Sequence, residues 1–236
     1  MKDQLHDFDF DEAISVEPVF EPSDRFLEAF YRFAGRLQSL QRYFHFSSRY
    51  IAHYLAGSEL SRILTDLHAE YAERGIVHDD VTLTDRDYFI VFLSGSVITN
   101  VFALLESLVA EVAQDVAGVL GHPVELHPKP MPYINRYVNF LVREGGLPLR
   151  IDSATWKSLD HVRALRNKYV HEFVRDIPAG IGADQTSEGD TEIFEELILA
   201  PSSVECAFSV AGQFAKQLES AYWIFYETHS PAGRAP

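Results

Sequence analysis

Arg166, Asn167 and His171 form the set of residues in this chain best suited to chemistry, within Arg-Asn-Lys-Tyr-Val-His from 166 to 171. Histidine titrates near neutrality and so moves protons at physiological pH. The guanidinium fork of arginine holds two phosphate oxygens while charge builds on them. Metal-free RNA cleavage needs these two capacities, because the adjacent 2′-hydroxyl must be deprotonated and the crowded phosphorane stabilised. Dependence on the 2′-hydroxyl predicts action on RNA and none on DNA. On a straight helix the step from Arg166 to His171 is a rise of about 7.5 Å and a rotation of about 140°, so the two do not share a face. Asn167 and His171, four positions apart, do. A homodimer supplying one residue from each subunit would repair the mismatch, and this ties activity to dimerisation. Asn167 is read as a residue that orients its neighbours rather than one that reacts.

The charge around these residues is unlike that of the rest of the chain. The protein has 236 residues and a net charge of −15. Between 157 and 175, Lys157, Arg163, Arg166, Lys168 and Arg175 stand against Asp160 and Glu172 alone, a local charge of +3 in an otherwise acidic molecule. Such an island focuses an anion, and Arg163 and Lys168 are candidates for guiding an RNA backbone. The overall acidity argues against broad electrostatic RNA binding and for a restricted or partner-presented target.

The elements that must position this island read as helices. Residues 1–23 mix acids, isolated phenylalanines and two prolines, the composition of a flexible acidic arm without a fixed helix. A helical extension over 24–84 follows, its first helix running from Asp24 to about Ala56 and its second from Glu59 to Arg74. A long third helix is expected from Asp85 to Leu120, with Thr84 as cap and Gly121 as stop. His122–Pro132 holds four prolines and cannot be helical. Tyr133–Glu144 is amphipathic and closes at Gly145 and Gly146. The motif helix begins at Asp152 or Ser153 and runs to about Val174, with Tyr169 in its apolar stripe. Residues 175–190 read as a loop, Thr191–Leu199 as a short strand or helical turn, and Ser203–Thr228 as a last helix behind a Ser202-to-Glu205 capping box. Residues 229–236 form a flexible tail. The fold class is all-α: an up-and-down bundle over 85–228 with an added N-terminal helical region.

Arg, a polar residue, then His at this spacing on a basic helix resembles the HEPN superfamily (higher eukaryotes and prokaryotes nucleotide-binding) of all-helical domains. Of the two matches to the bare spacing, only that at Arg166 has a polar residue after the arginine; Arg62 is followed by Ile63. The resemblance implies a metal-independent endoribonuclease of toxin or antiviral defence type, leaving a 2′,3′-cyclic phosphate, with Arg166 as phosphate stabiliser and His171 as general acid or base. It also implies Glu106 on the upstream helix as a supporting carboxylate, a dimer cleft, and an antitoxin or regulatory protein as partner. Phe173 stands where toxins silenced by nucleotide transfer carry tyrosine, which puts that mode of control in doubt. The alternative is a non-catalytic HEPN-like module that binds protein or nucleotide, whose function would survive His171→Ala.

Other chemistries find no matching motif. There is no H-E-x-x-H or E-x-x-H, so neither a metal nor a cofactor is expected. A single cysteine, Cys206, precludes an intramolecular disulfide, and without a leader-like segment the expected compartment is the cytoplasm. Tyr88–Leu105 is 18 residues without a formal charge, but its Ser94, Gly95, Ser96, Thr99 and Asn100 favour a core helix, with close approach at the small residues, over a membrane span.

Overall fold

A computed structural model describes residues 9–23, 27–55, 85–124, 133–170 and 201–229. The protein is all-α. Six helices cover most of the described residues: α1 (Phe10–Ile14), α2 (Glu28–Leu55), α3 (Asp85–Leu120), α4 (Tyr133–Arg143), α5 (Ser153–Lys168) and α6 (Pro201–His229). The second expected helix, Glu59–Arg74, the Thr84 cap, the loop over 175–190, the segment Thr191–Leu199 and all but the first residue of the expected tail lie outside the described residues. Two compact units are present, and they are not successive segments of chain. The first comprises Met1–Val16, Leu40–Ile98 and Ala164–Val204; the second comprises Glu17–Ser39, Thr99–Arg163 and Glu205–Pro236. The four helices α2, α3, α5 and α6 each pass from one to the other.

The helix ends follow local chemistry. Asp152 accepts hydrogen bonds at Oδ1 from the backbone amides of Ala154 and Thr155, both at 2.9 Å, capping α5 as expected. The Thr155 hydroxyl bonds to Oδ2 at 2.6 Å, and Gln217 of α6 adds a second bond to that oxygen at 2.8 Å. This set of donors, the Thr155 hydroxyl foremost, holds the Asp152 carboxyl well below the usual carboxylate range. At the end of α3, Gly121 takes φ +75, its amide bonding to the Gly118 carbonyl while the His122 amide reaches the Ala117 carbonyl. That pair of bonds is a Schellman motif, which only a residue tolerant of positive φ completes without strain. Helix α6 starts at Pro201, two residues earlier than the capping box implied, since proline suits a first turn that needs no amide donor.

In the second unit the core is built from aromatic residues three and four apart. Phe30 packs edge-on against Tyr222 with ring centres 6.0 Å apart, and Trp156 meets Phe214 in the same way at 6.0 Å. Phe30, Phe214 and Tyr222 are fully buried, and burial of a ring of this kind contributes about 1.5–3 kcal/mol, while Trp156 is half-buried. Tyr222 turns its hydroxyl to Asp115 at 2.7 Å, and burial followed by that bond pushes its pKa up. Tyr137 donates to the Tyr133 hydroxyl at 3.2 Å and is pushed up to about 12, chiefly by burial. Arg32 bridges Glu28 and Glu111 at 2.7 and 2.6 Å, a partnership that raises its pKa.

Residues 9–23 correct the expectation of a flexible arm without a helix. Asp9 caps α1 by accepting the Glu12 amide at 2.9 Å, and Ala13 is buried in the first unit. Past Val16 the chain is extended and held in the second unit, where Phe20 is buried against Phe30 and Phe33. The Ser23 amide and hydroxyl both donate to Glu219 Oε1, at 2.9 and 2.8 Å, and Gly212 leaves room for Val19. Phe20, one of the isolated phenylalanines of this acidic segment, is an anchor.

Ile90–Leu120 within α3 is long and apolar enough to cross a membrane by length and composition, and half of that window is buried inside the protein. Its exposed positions include the polar Ser96, Asn100, Ser107 and Gln114 beside the apolar Phe92, Ala103 and Val119.

Candidate functional site

Arg166 and Asn167 stand at the end of α5, in the first unit, and both are half-buried. Arg166 Nη1 donates to Asn167 Oδ1 at 3.2 Å. The Asn167 side-chain carbonyl thus accepts from the guanidinium of its neighbour. A bond of this kind draws strength from the arginine charge, and a guanidinium has five N–H donors in all. Lys168 is half-buried on the same turn. His171 lies outside the described residues, and so does Phe173.

Tyr169 fixes the end of this helix. Its ring is 9% exposed and packs with Val91 of α3, with Val170 against the same cluster. The ring also lies directly against Gly95, where it occupies the space a Cβ would need. Burial raises the Tyr169 pKa. Its role is therefore packing, and the expected close approach at the small residues of α3 is made by a side chain of the motif. At Tyr169 and Val170 the backbone widens into a π-helical turn. Through that turn the 100° step of an α-helix no longer holds, so the angle counted on a straight helix does not carry past Lys168.

The remaining candidates are placed differently. Arg163 belongs to the second unit, where its Nη2 pairs with Asp160 Oδ1 at 3.0 Å; both side chains are substantially exposed, so the pair contributes little. Its Nε is enclosed and makes no hydrogen bond among the described residues. Glu106 is half-buried on α3, also in the second unit. Arg166 and Asn167 are joined by a hydrogen bond in the first unit, while Arg163 and Glu106 belong to the second.

No family model matches this chain, and no curated protein or solved structure matches it. The functional reading rests on its own residues.

A second basic run was passed over in the sequence. Helix α2 carries Arg32, Arg36, Arg42 and Arg49 and no acid after Glu28, the same +3 as the motif segment, in a chain with 35 acidic residues. A charge count along the chain would have found it; attention to an Arg-to-His spacing did not. The half of α2 that begins at Leu40 belongs to the first unit, as do Arg166 and Asn167.

Proposed function

We propose that this protein is a metal-independent endoribonuclease of HEPN type, acting as a homodimer in defence or as a toxin. The observation that carries the reading is the guanidinium of Arg166, held by Asn167 on the last turn of a basic helix in an acidic protein. In the proposed reaction Arg166 stabilises charge on the phosphoryl oxygens, and His171 moves the proton between the 2′-hydroxyl and the leaving oxygen. The 2′-oxygen bonds to phosphorus as the 5′-oxygen departs, leaving a 2′,3′-cyclic phosphate and a free 5′-hydroxyl. The π-turn at Tyr169 and Val170 lends support, since such turns are frequent at functional sites.

The test is incubation of the purified dimer with total RNA in EDTA, beside Arg166→Ala and His171→Ala variants shown to fold and dimerise. Wild-type cleavage with cyclic phosphate ends, lowered about a hundredfold or more in each variant, is the expected result. Cleavage that persists in both variants rejects these roles. A dimer that cleaves no RNA transfers the reading to a non-catalytic module that binds protein or nucleotide.

A further inference from the structure

We propose that the outward face of α2 beyond Leu40 is a binding track for single-stranded RNA, with Arg42 and Arg49 taking phosphates and Tyr43 and the Phe46–Tyr50 stack taking bases. At 100° per residue, Arg42, Tyr43, Phe46, Arg49, Tyr50 and His53 fall within a sector about 120° wide. Phe44, on the opposite side, is buried. Tyr43 is 55% exposed, and Arg42 is exposed with no ion pair or hydrogen bond among the described residues. Phe46 and Tyr50 already form a stacked pair, ring centres 5.8 Å apart and 20° from parallel.

Aromatic faces interleaved with arginines are what a single strand requires, because every base has a π-face and every nucleotide a charge. From Tyr43 to Tyr50 the helix rises about 10.5 Å, or about three nucleotides at the 3.4 Å stacked spacing. Charge complementarity selects the occupant: residues 29–55 hold no acid in a protein of net charge −15, so this face, like the basic segment at 157–175, attracts an anion. Glu12 of α1 pairs with Arg49 at 3.3 Å, both side chains exposed, and competes with a phosphate for it. The choice of RNA rests on the ribonuclease reading; the track itself does not.

The experiment is binding of a fluorescently labelled, unpaired RNA oligonucleotide to the full chain carrying His171→Ala, followed by anisotropy across a salt series. Arg42→Ala should weaken binding and flatten the slope of log affinity against log salt by about 0.7. Tyr43→Ala should weaken it about five- to a hundredfold and Tyr43→Phe hardly at all, with melting unchanged because the side chain is exposed. Glu12→Gln should tighten it by up to about fivefold. Affinity and salt slope equal to the parent's in Arg42→Ala and Tyr43→Ala would overturn the track. So would binding to phosphatidylserine vesicles in place of RNA, which would make the face a membrane contact. Cleavage that persists while these variants bind normally rejects the track alone. Binding that depends on Tyr43 in a protein that cleaves nothing rejects the nuclease alone.

Discussion

Replacing Gly95 by alanine places two effects of opposite sign against each other. In the interior of a helix the change ordinarily stabilises by about 1 kcal/mol, because alanine loses less backbone freedom on folding. At Gly95 the new methyl group would occupy the space of the Tyr169 ring, which is itself buried against Val91 and flanked by Val170. Overpacking of a core costs about 1–3 kcal/mol, and a ring enclosed on several sides cannot yield cheaply. Gly35 supplies the control, since it sits inside α2 with nothing within 4 Å of its missing Cβ. Gly35→Ala should therefore stabilise by up to about 1 kcal/mol, while Gly95→Ala, its overpacking cost set against the same helix gain, should destabilise by up to about 2 kcal/mol, a gap of about 1–3 kcal/mol. Urea unfolding followed by circular dichroism resolves that gap as a midpoint difference on the order of 1 M. Tyr169→Ala and Gly95→Ala together should cost less than the sum of the two single changes, because the two side chains compete for one space and their effects are not additive. If the proposed ribonuclease reading holds, RNA cleavage by Gly95→Ala should fall further than its folded fraction, since Tyr169 lies two positions before His171. A midpoint for Gly95→Ala raised as far as that of Gly35→Ala would refute the placement of the ring, and with it the anchoring of the motif helix on α3.

Ser94 and Asp152 give two further tests. Ser94 is fully buried and its hydroxyl has no hydrogen-bond partner among the described residues, so Ser94→Ala should stabilise by about 1 kcal/mol or more; a loss on urea titration would show a partner that the side chain does have. The Asp152 carboxyl has a folded-state pKa depressed below its unfolded value, so its contribution is complete above about pH 4, the ordinary carboxylate value, and is lost as pH falls toward the depressed one. Asp152→Asn should therefore lower the melting temperature at pH 7 and lessen the loss of stability between neutral and acid pH. An unchanged acid limb of the melting curve would reject the capping network as its source.

What the sequence made legible is what local chemistry specifies. The apolar spacing of Phe30, Phe33 and Leu37 marks the inner face of α2, Asp152 marks the start of α5, and Gly121 closes α3, because each acts within one or two turns of its own position. The docking of residues 17–23 was illegible for the opposite reason. Phe20 has no periodic companions, and the partner of Ser23 is Glu219, 196 positions away. A carboxylate that far along the chain leaves no mark on the local pattern. The π-turn at Tyr169 and Val170 is equally silent in sequence, yet it alters the angular arithmetic by which the motif residues were first related.

The two basic helices show how a motif search and a physical search differ. Arg166 and Asn167 were found through an order of residue types, and their hydrogen bond shows one consequence of that order in three dimensions. Nothing in the order required Arg42 and Tyr43 to face outward; that followed from Phe44 and Leu37 needing to face inward, which leaves the opposite sector of α2 to solvent. In a chain that carries −15, natural variation would readily place acids on such a sector, where they favour solubility at no cost to packing. Their absence from 29–55, beside exposed rings that gain nothing by meeting water, is a cost without a structural return. The proposed binding of an anionic, stackable chain would supply that return. On the proposed ribonuclease reading a single basic helix end would not suffice for an acidic protein, since one arginine can address one phosphate and affinity for a strand requires several.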